Sequence, residues 1–373
     1  MSRVLVAMSG GVDSAVAAAL LVESGHDVTG VHLKLADVPL DQQVPGHGCC
    51  TLDDAQDARR AAQVLGIPFY VWDLSEVFRT EVQEPFAVAY ATGVTPNPCV
   101  TCNERVKYAA LLDRARRLGF DFLATGHHAR LRRDGDRVRM FRAADPAKDQ
   151  TYVLYVATAD ELAHTLLPVG EMTKDEVRRQ ADARGLRVAA KPDSYDVCFI
   201  PDGDTAGYLA DRLPTVAGDI VDLSGEVLGQ HAGVWRYTVG QRRGLGLGTH
   251  ERRFVVDVDA VRNRVVVGPR AAIAVSWAEL GDVTWIAGDP PTGPVEVQVR
   301  AHGRPVPGRV VAGDTSGAAR IGQPRSGPRA RVELDEPVFG LARGQSAVVY
   351  AGEECLGGGR VVAAERPAAL ADL

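Results

Sequence analysis

Lysine is nearly missing from this chain: Lys34, Lys107, Lys148, Lys174 and Lys191 are the five among 42 basic residues. Such a skew is what coding bias produces, so the many arginines mean little as a count. Positive charge is not in excess either. A formal net charge of −6 excludes a general nucleic-acid coat, because binding of that kind rests on neutralising phosphates. No apolar run approaches the roughly 18 residues of a membrane-spanning helix, and the N-terminus enters a strand directly with no signal-peptide pattern, which predicts a cytosolic protein without membrane partners. Cysteine is sparse, with six residues, and a reduced compartment makes a disulfide framework a poor reading of them. Cys99-Val-Thr-Cys102 has redox or metal spacing, but there is no second pair to complete a four-thiolate zinc site.

With 373 residues, 46% of them apolar and 24% charged, the chain has the composition of an ordinary globular protein of two or three domains. Its most informative stretch is Ser9-Gly10-Gly11-Val12-Asp13-Ser14, between an apolar strand (Val4 to Met8) and a helical run (Ala15 to Val22). Strand, glycine turn and helix make an anion site: glycine allows a tight turn and close approach, and the first-turn N–H groups point at the guest. Ser9 and Ser14 would add hydroxyl donors, and Asp13 would hold a Mg²⁺ on phosphates or cap the helix. The Lys-Ser/Thr pair of the Walker loop and the three glycines of the dinucleotide fingerprint are both missing. The hexapeptide resembles the loop of the ATP pyrophosphatases.

Charge is concentrated locally. Seven arginines between Glu296 and Arg331 face only Glu296 and Asp314, and nine between Arg114 and Arg142 face Asp121, Asp134 and Asp136. Two such patches suit a partner met at particular places; the plain alternative is two solvated faces.

Along the chain, strands are expected at Asp27–Leu35, Phe69–Asp73 and Phe122–Thr125. Helices are expected from Thr51 to Leu65, from Phe78 to Ala91 with Pro85 bending or restarting it, and from Glu104 to Leu118. Strands alternating with helices imply a parallel sheet with its ligand beyond the carboxyl ends of the strands. Residues 36–50 form a long loop. Gly93 to Asn103 is a proline-stiffened loop placing Cys102 near a helix N-terminus, where a thiolate is stabilised; the plain alternative is a small buried residue beside a stiff turn. Gly126 at the end of its strand allows close backbone approach to a nucleotide. His127 and His128, being adjacent, point to opposite sides and make a poor metal pair. Arg130 to Arg142 is a hairpin turning at Asp134-Gly135-Asp136. Thr173-Lys174-Asp175-Glu176 is a capping box for a helix closed by Gly185. From about Pro201, short Val-rich strands and glycine turns take over. Phe254–Asp257 and Arg264–Val267 form a hairpin, Gly244 to Gly248 is a turn and not a nucleotide fingerprint, and Ala312 to Gly327 is a mobile loop. Trp285 to Val362 has the strand pattern of a small closed barrel.

Taken in order, Ser9 to Ser14, Gly48-Cys49-Cys50, Thr95-Pro96-Asn97-Pro98, Cys102-Asn103, Thr125-Gly126-His127, Lys148-Asp149-Gln150, Cys198-Phe199-Ile200, Gly240 to Gly246 and Cys355-Leu356-Gly357-Gly358-Gly359 closely resemble the tRNA-specific 2-thiouridylases over nearly the whole chain. The resemblance implies an α/β N-terminal domain with a parallel sheet, like the adenine nucleotide alpha hydrolases (residues 1–200). A small central β domain (201–280) and a C-terminal β-barrel that binds tRNA (281–373) would follow. It implies replacement of the 2-oxygen of the anticodon wobble uridine by sulfur in tRNAs for Lys, Glu and Gln. ATP and Mg²⁺ would be used, with sulfur from a cysteine desulfurase or a relay protein. A urea-like oxygen leaves poorly, so it must first be adenylated.

By the same resemblance Cys198 carries a persulfide and Cys102 is its partner nucleophile, the two joining in a transient disulfide if sulfur leaves as hydrosulfide. For that the sulfurs must come to about 2 Å, which implies movement of Asp193 to Ile200. ATP would lie on Ala7, Met8, Ser9, Gly10, Gly11, Val12, Asp13, Ser14, Leu33 and Gly126. Asn97, Pro98 and Cys99 would face the target base, and Lys148, Asp149, Gln150, Arg300 and Ala301 would meet tRNA. Two positions depart from the family: Cys99, where relatives often have Asp, and Ala301, where an aromatic residue is common. The first opens an alternative in which Cys99, Cys102 and Cys198 hold an iron–sulfur cluster. A synthetase sharing the ATP loop, and a tRNA-binding protein without catalysis, are the readings from other classes.

Overall fold

The computed structural model describes residues 1–35, 52–135, 137–192, 197–200, 202–248, 251–312 and 327–366. The 36–50 loop with Gly48-Cys49-Cys50, the expected helix start at Thr51, Asp136 of the expected hairpin turn, residues 193–196 and the bulk of the 312–327 loop lie outside these.

The N-terminal half supplies β1 (Arg3–Ala7), α1 (Val12–Glu23), β2 (Asp27–Lys34), α2 (Leu52–Leu65), β3 (Phe69–Asp73), β4 (Phe122–Ala124), the arginine hairpin β5 (Arg130–Asp134) and β6 (Arg137–Phe141), and β7 (Thr165–Leu166). A wholly parallel sheet runs β3-β2-β1-β4-β7. Val4, Leu5 and Val6 are fully buried, which is why β1 reads as an unbroken apolar run. From β1 the chain steps one way to β2 and β3 and later returns to the other side as β4. The direction therefore reverses between β1 and β4, and the crevice beyond their carboxyl ends is the natural ligand site of such a sheet.

Two helices differ from expectation. One runs from 75 to 91, with a π-type stretch at Arg79–Gln83 carrying it past Pro85, which has no N–H to donate. The other begins at Pro98 rather than Glu104, because Asn97 caps it: its side-chain oxygen accepts the amides of Cys99 (3.0 Å) and Val100 (3.3 Å). It continues through a long π-type segment, Cys102–Leu112, to Arg117. The capping box at Thr173 forms as expected and starts α3 (Lys174–Ala183).

The central unit contains β8 (Gly218–Val221), β9 (Val227–His231), β10 (Phe254–Asp259) and β11 (Arg264–Gly268), in the order β10-β11-β8-β9 around Ile220, Val255, Val258, Val265 and Val267. No helix or strand covers Gly244 to Gly248, which agrees with a turn.

The last unit, β12 (Ala274–Trp285), β13 (Pro294–Gln298), β14 (Val306–Ala312), β15 (Ala330–Phe339), β16 (Ser346–Ala351) and β17 (Glu354–Ala364), is a barrel closed by pairing of β12 with β17. Gly357 and Gly358 explain the glycine run: a Cβ on them would come within 2.0 Å of the Thr284 carbonyl and 2.4 Å of that of Ala347. The arginine hairpin is a strand extension of this barrel, with Met140 opposite Cys355 in the β6–β17 ladder.

Candidate active site

The Ser9–Ser14 loop closes on itself. Gly10 has φ +83°, and a Cβ there would lie 2.3 Å from the Asp54 carbonyl, so both conformation and space demand glycine. The Ser14 hydroxyl accepts the Ser9 amide (3.2 Å) and donates to the Gly11 carbonyl (3.1 Å). It fastens the loop, leaving Ser9 as the exposed hydroxyl. No side chain caps α1, whose N-cap is Gly11, so its first amides are available to an anion. Met8 and Val12 are core residues, as is Leu33, so the loop presents backbone and not their side chains.

Asp13 neither caps the helix nor stands open for a metal. Lys174 Nζ donates to both its oxygens (2.9 and 2.7 Å), and His128 Nε2 lies 3.0 Å from Oδ1. Burial alone would raise the Asp13 pKa, but the His128 hydrogen bond and the Lys174 charge outweigh it and hold it below the ordinary carboxylate value. The donor set around Asp13 therefore does not fit a resident Mg²⁺. A second lysine meets the loop from outside: Lys191 Nζ donates to Gly10 O (3.0 Å), Asp54 Oδ1 (2.7 Å) and Asp57 Oδ2 (2.8 Å). Its pKa rises despite burial because the two carboxylates outweigh the desolvation.

Sequence reasoning missed both lysines and both carboxylates of α2. The available signal was the scarcity of lysine itself, two of whose five occurrences meet here.

Gly126 is required for a different reason than expected: a Cβ would come within 2.5 Å of the Ser14 amide nitrogen, so the close approach is to α1 itself. The two histidines do part company. His128 faces Asp13, whereas His127 sits between Thr125 Oγ1 (2.7 Å, on Nδ1) and Lys107 Nζ (3.1 Å, on Nε2). Lys107 can only donate, so Nε2 accepts and Nδ1 carries the proton. Burial first, then Lys107, pushes the His127 pKa well below its usual value, and the ring is neutral.

Cys102 is 8% exposed and sits a full turn inside its helix, beyond the first-turn amides, which corrects the expected N-terminal placement. Cys99 and Cys198 are partly exposed. Cys102 and Cys198 border one apolar cluster, in which Phe199 packs edge-on against Phe78 and Phe86 at centroid distances of 5.7 and 5.4 Å. Among the described residues no three His, Cys, Asp or Glu side chains are grouped to hold a metal, so the iron–sulfur alternative gains no donor set from Cys99, Cys102 and Cys198. The helix is tied to the barrel at Glu104, which Arg360 of β17 reaches while also meeting Asp282 of β12.

The expected tRNA contacts divide. Asp149 is committed inside the protein, its carboxylate taken by Arg142 Nη1 (3.0 Å), the Ala143 amide (3.1 Å) and the Thr151 hydroxyl (2.8 Å). Its side chain is 8% exposed. Gln150 likewise spends its amide oxygen on the His128 N–H (2.8 Å). Arg142 also donates to Gln298 Oε1 (3.0 Å), and Gln298 Nε2 holds the carbonyls of Arg300 (3.0 Å) and Ala301 (2.9 Å). Arg300 is exposed, tied on one side to Phe339 O (2.8 Å), and Lys148 is partly exposed.

In the Arg114–Arg142 patch several arginines are matched, while Arg137 is exposed with no acceptor among the described residues. Arg116 pairs with Asp160, Arg130 with Glu353, Arg139 with Glu354 and Arg142 with Asp149, while Arg114 and Arg132 lie over aromatic rings.

Three family profiles match in succession: tRNA methyl transferase HUP domain over residues 2–202, tRNA methyl transferase PRC-barrel domain over 206–269, and aminomethyltransferase beta-barrel domain over 278–361. The chain is 53% identical to the tRNA-specific 2-thiouridylase MnmA of Kineococcus radiotolerans over 95% of its length and 97% of the relative's. It is 50% identical to those of Salinispora tropica (97% and 99%) and Acidothermus cellulolyticus (98% and 99%). Among solved structures, NMN synthetase from Francisella tularensis aligns at 20% identity and a TM-score of 0.32 over 52% of this chain and 66% of that one, too slight a likeness to argue from.

Proposed function

Because the chain belongs to the tRNA-specific 2-thiouridylase family, we propose that it exchanges the 2-oxygen of the anticodon wobble uridine for sulfur in tRNAs for Lys, Glu and Gln, with ATP as activator. The observation that carries this reading is the uncapped loop at the β1/β4 switch point, beyond the carboxyl ends of the parallel strands. The α1 amides receive the pyrophosphate part of ATP, and the uridine O2 attacks the α-phosphorus, so that pyrophosphate leaves and the oxygen carries AMP. Mg²⁺, where it accompanies ATP, offsets charge on the phosphates that bring it. Asp13, Lys174 and His128 fix the first turn of α1, and Lys191 neutralises Asp54 and Asp57, which would otherwise repel the polyphosphate.

Sulfur arrives as a persulfide on Cys198 from a cysteine desulfurase or relay protein. The Cys102 thiolate attacks the Cys198 Sγ, a Cys102–Cys198 disulfide forms, and hydrosulfide leaves. Hydrosulfide adds to C2 and AMP departs with the oxygen, while an external thiol reduces the disulfide before the next turnover. Asn97, Pro98 and Cys99 form the lip facing the base, and Lys148 and Arg300 meet the RNA. The test is stoichiometry with α-labelled ATP, unmodified tRNA and a persulfide donor. One AMP and one pyrophosphate per 2-thiouridine are expected; ADP as product, or AMP formed equally without tRNA, overturns the reading.

A further inference from the structure

Beyond the catalytic crevice, one cleft is built by all three units. It has a volume of about 450 Å³ and is floored by Val221, Val258 and Val266 of the central unit, with Ala91 and Thr92 from the end of the 75–91 helix on one side and Arg343 and Arg366 from the barrel region on the other. Gly93 lets the two units pack closely, since a Cβ there would lie 2.5 Å from the Val258 carbonyl.

The charges in the cleft do not cancel. Asp257 is matched by Arg366 (3.1 and 3.3 Å) and Asp259 by Arg262 (2.9 Å). Arg264 and Arg343 also line the cleft, and the guanidinium of neither meets an acceptor among the described residues. Other arginines, such as Arg59, Arg137 and Arg187, also meet no acceptor among the described residues, but Arg264 and Arg343 are two that share one concavity. A pair of guanidiniums over an apolar floor suits a phosphate, which takes forked N–H donors and lets sugar carbons rest on the valines.

The position favours RNA over a small anion. The Arg343 carbonyl accepts the Thr95 amide (2.8 Å), and Thr95 opens the Thr-Pro-Asn-Pro turn that caps the Cys102 helix. Thr92 and Cys99 are seven residues apart, so the cleft lies at most about 25 Å of chain from the reacting base. Val261, 96% exposed on its rim, leaves the cleft open to a polymer.

We infer that this cleft is a track for the tRNA backbone, with Arg264 and Arg343 gripping a phosphate outside the anticodon. It rests on the proposed tRNA substrate and adds a second foothold distant from the reacting uridine. The test compares wild type, R264A/R343A and R264K/R343K for binding of unmodified tRNA across a salt series, and for turnover at saturating tRNA. The alanine pair should bind tRNA roughly 10-fold or more weakly, with a salt slope smaller by about 1 to 2. Its KM for ATP and its plateau rate should stay at wild-type values, and the lysine pair should keep most of the slope.

An unchanged affinity and slope in the alanine pair overturns the inference. So does competition by inorganic phosphate that the alanine pair abolishes without any change in tRNA affinity, which would mark a small-anion site. Loss of tRNA binding in the wild type itself would instead defeat the proposed function.

Discussion

The nucleotide loop and the barrel both bury charged side chains, and they use them in opposite ways. At the loop, cations converge on carboxylates that hold a backbone turn open: Lys174 and His128 on Asp13, Lys191 on Asp54 and Asp57. At the barrel seam, arginines consume carboxylates while bridging units: Arg360 of the barrel meets Glu104 of the N-terminal half, and Arg142 of that half holds its own Asp149 while reaching Gln298 of the barrel. The first arrangement leaves amides unsatisfied for a ligand, whereas the second leaves little unsatisfied. The lesson is that an arginine-rich stretch of sequence need not be an open basic surface, and that scarce lysines can be found converging on one loop.

That contrast can be broken most sharply at Lys174. Lys174→Met removes the donor to both Asp13 oxygens, and kcat/KM for ATP should fall about 10²-fold, as when one fixed donor is lost from a charged site. A fall of less than about threefold would reduce Lys174 to a packing residue.

On the barrel side, Arg142→Met strands Asp149 without its cation, and unfolding should be easier by about 3 kcal/mol, read from denaturant midpoints. KM for tRNA should rise through the Gln298-held Arg300 loop while KM for ATP does not. If KM for ATP rises instead, the two regions are not separate.

Acid titration sharpens the comparison further. Asp13 has a folded pKa below its unfolded one, so its share of stability is full above the unfolded value and is lost as pH falls through the folded value. Asp13→Asn should therefore flatten the acid limb of stability by on the order of 1 kcal/mol relative to wild type. An acid limb identical in both proteins would remove Asp13 from the account.

The smallest effect belongs to Cys355. Burial pushes its thiol pKa up to about 12, so it stays protonated and packed in the barrel wall. Cys355→Ala should change thiolation by less than about twofold, and iodoacetamide at pH 8 should label Cys198 long before Cys355.

The parallel sheet, the hairpins and the barrel were legible because each depends on short-range pattern: apolar runs, turn residues, and glycines at fixed offsets. The Cys102 helix was misplaced by six residues because Pro98 was read as a stiffener, although Pro after Asn is equally a helix start. Lys174 was legible only as the residue after a cap; its partner is 161 positions away, and nothing local records where its ammonium points. The commitment of the Asp149 carboxylate was hidden for the reverse reason. Lys148-Asp149-Gln150 is a contiguous polar motif, but folding turns its centre inward against Arg142 and leaves Lys148 at the surface.

The most direct test of the central claim is the mass of nucleosides from unmodified glutamate tRNA after incubation with Mg·ATP and a persulfide donor, for wild type and Cys198→Ala. A wobble uridine that gains one sulfur and loses one oxygen with the wild type, and stays unchanged with the variant while pyrophosphate is still released, is the predicted result. Thiolation that persists in Cys198→Ala would contradict the carrier, and ATP cleavage with no change in the uridine under wild-type conditions would contradict the reaction itself.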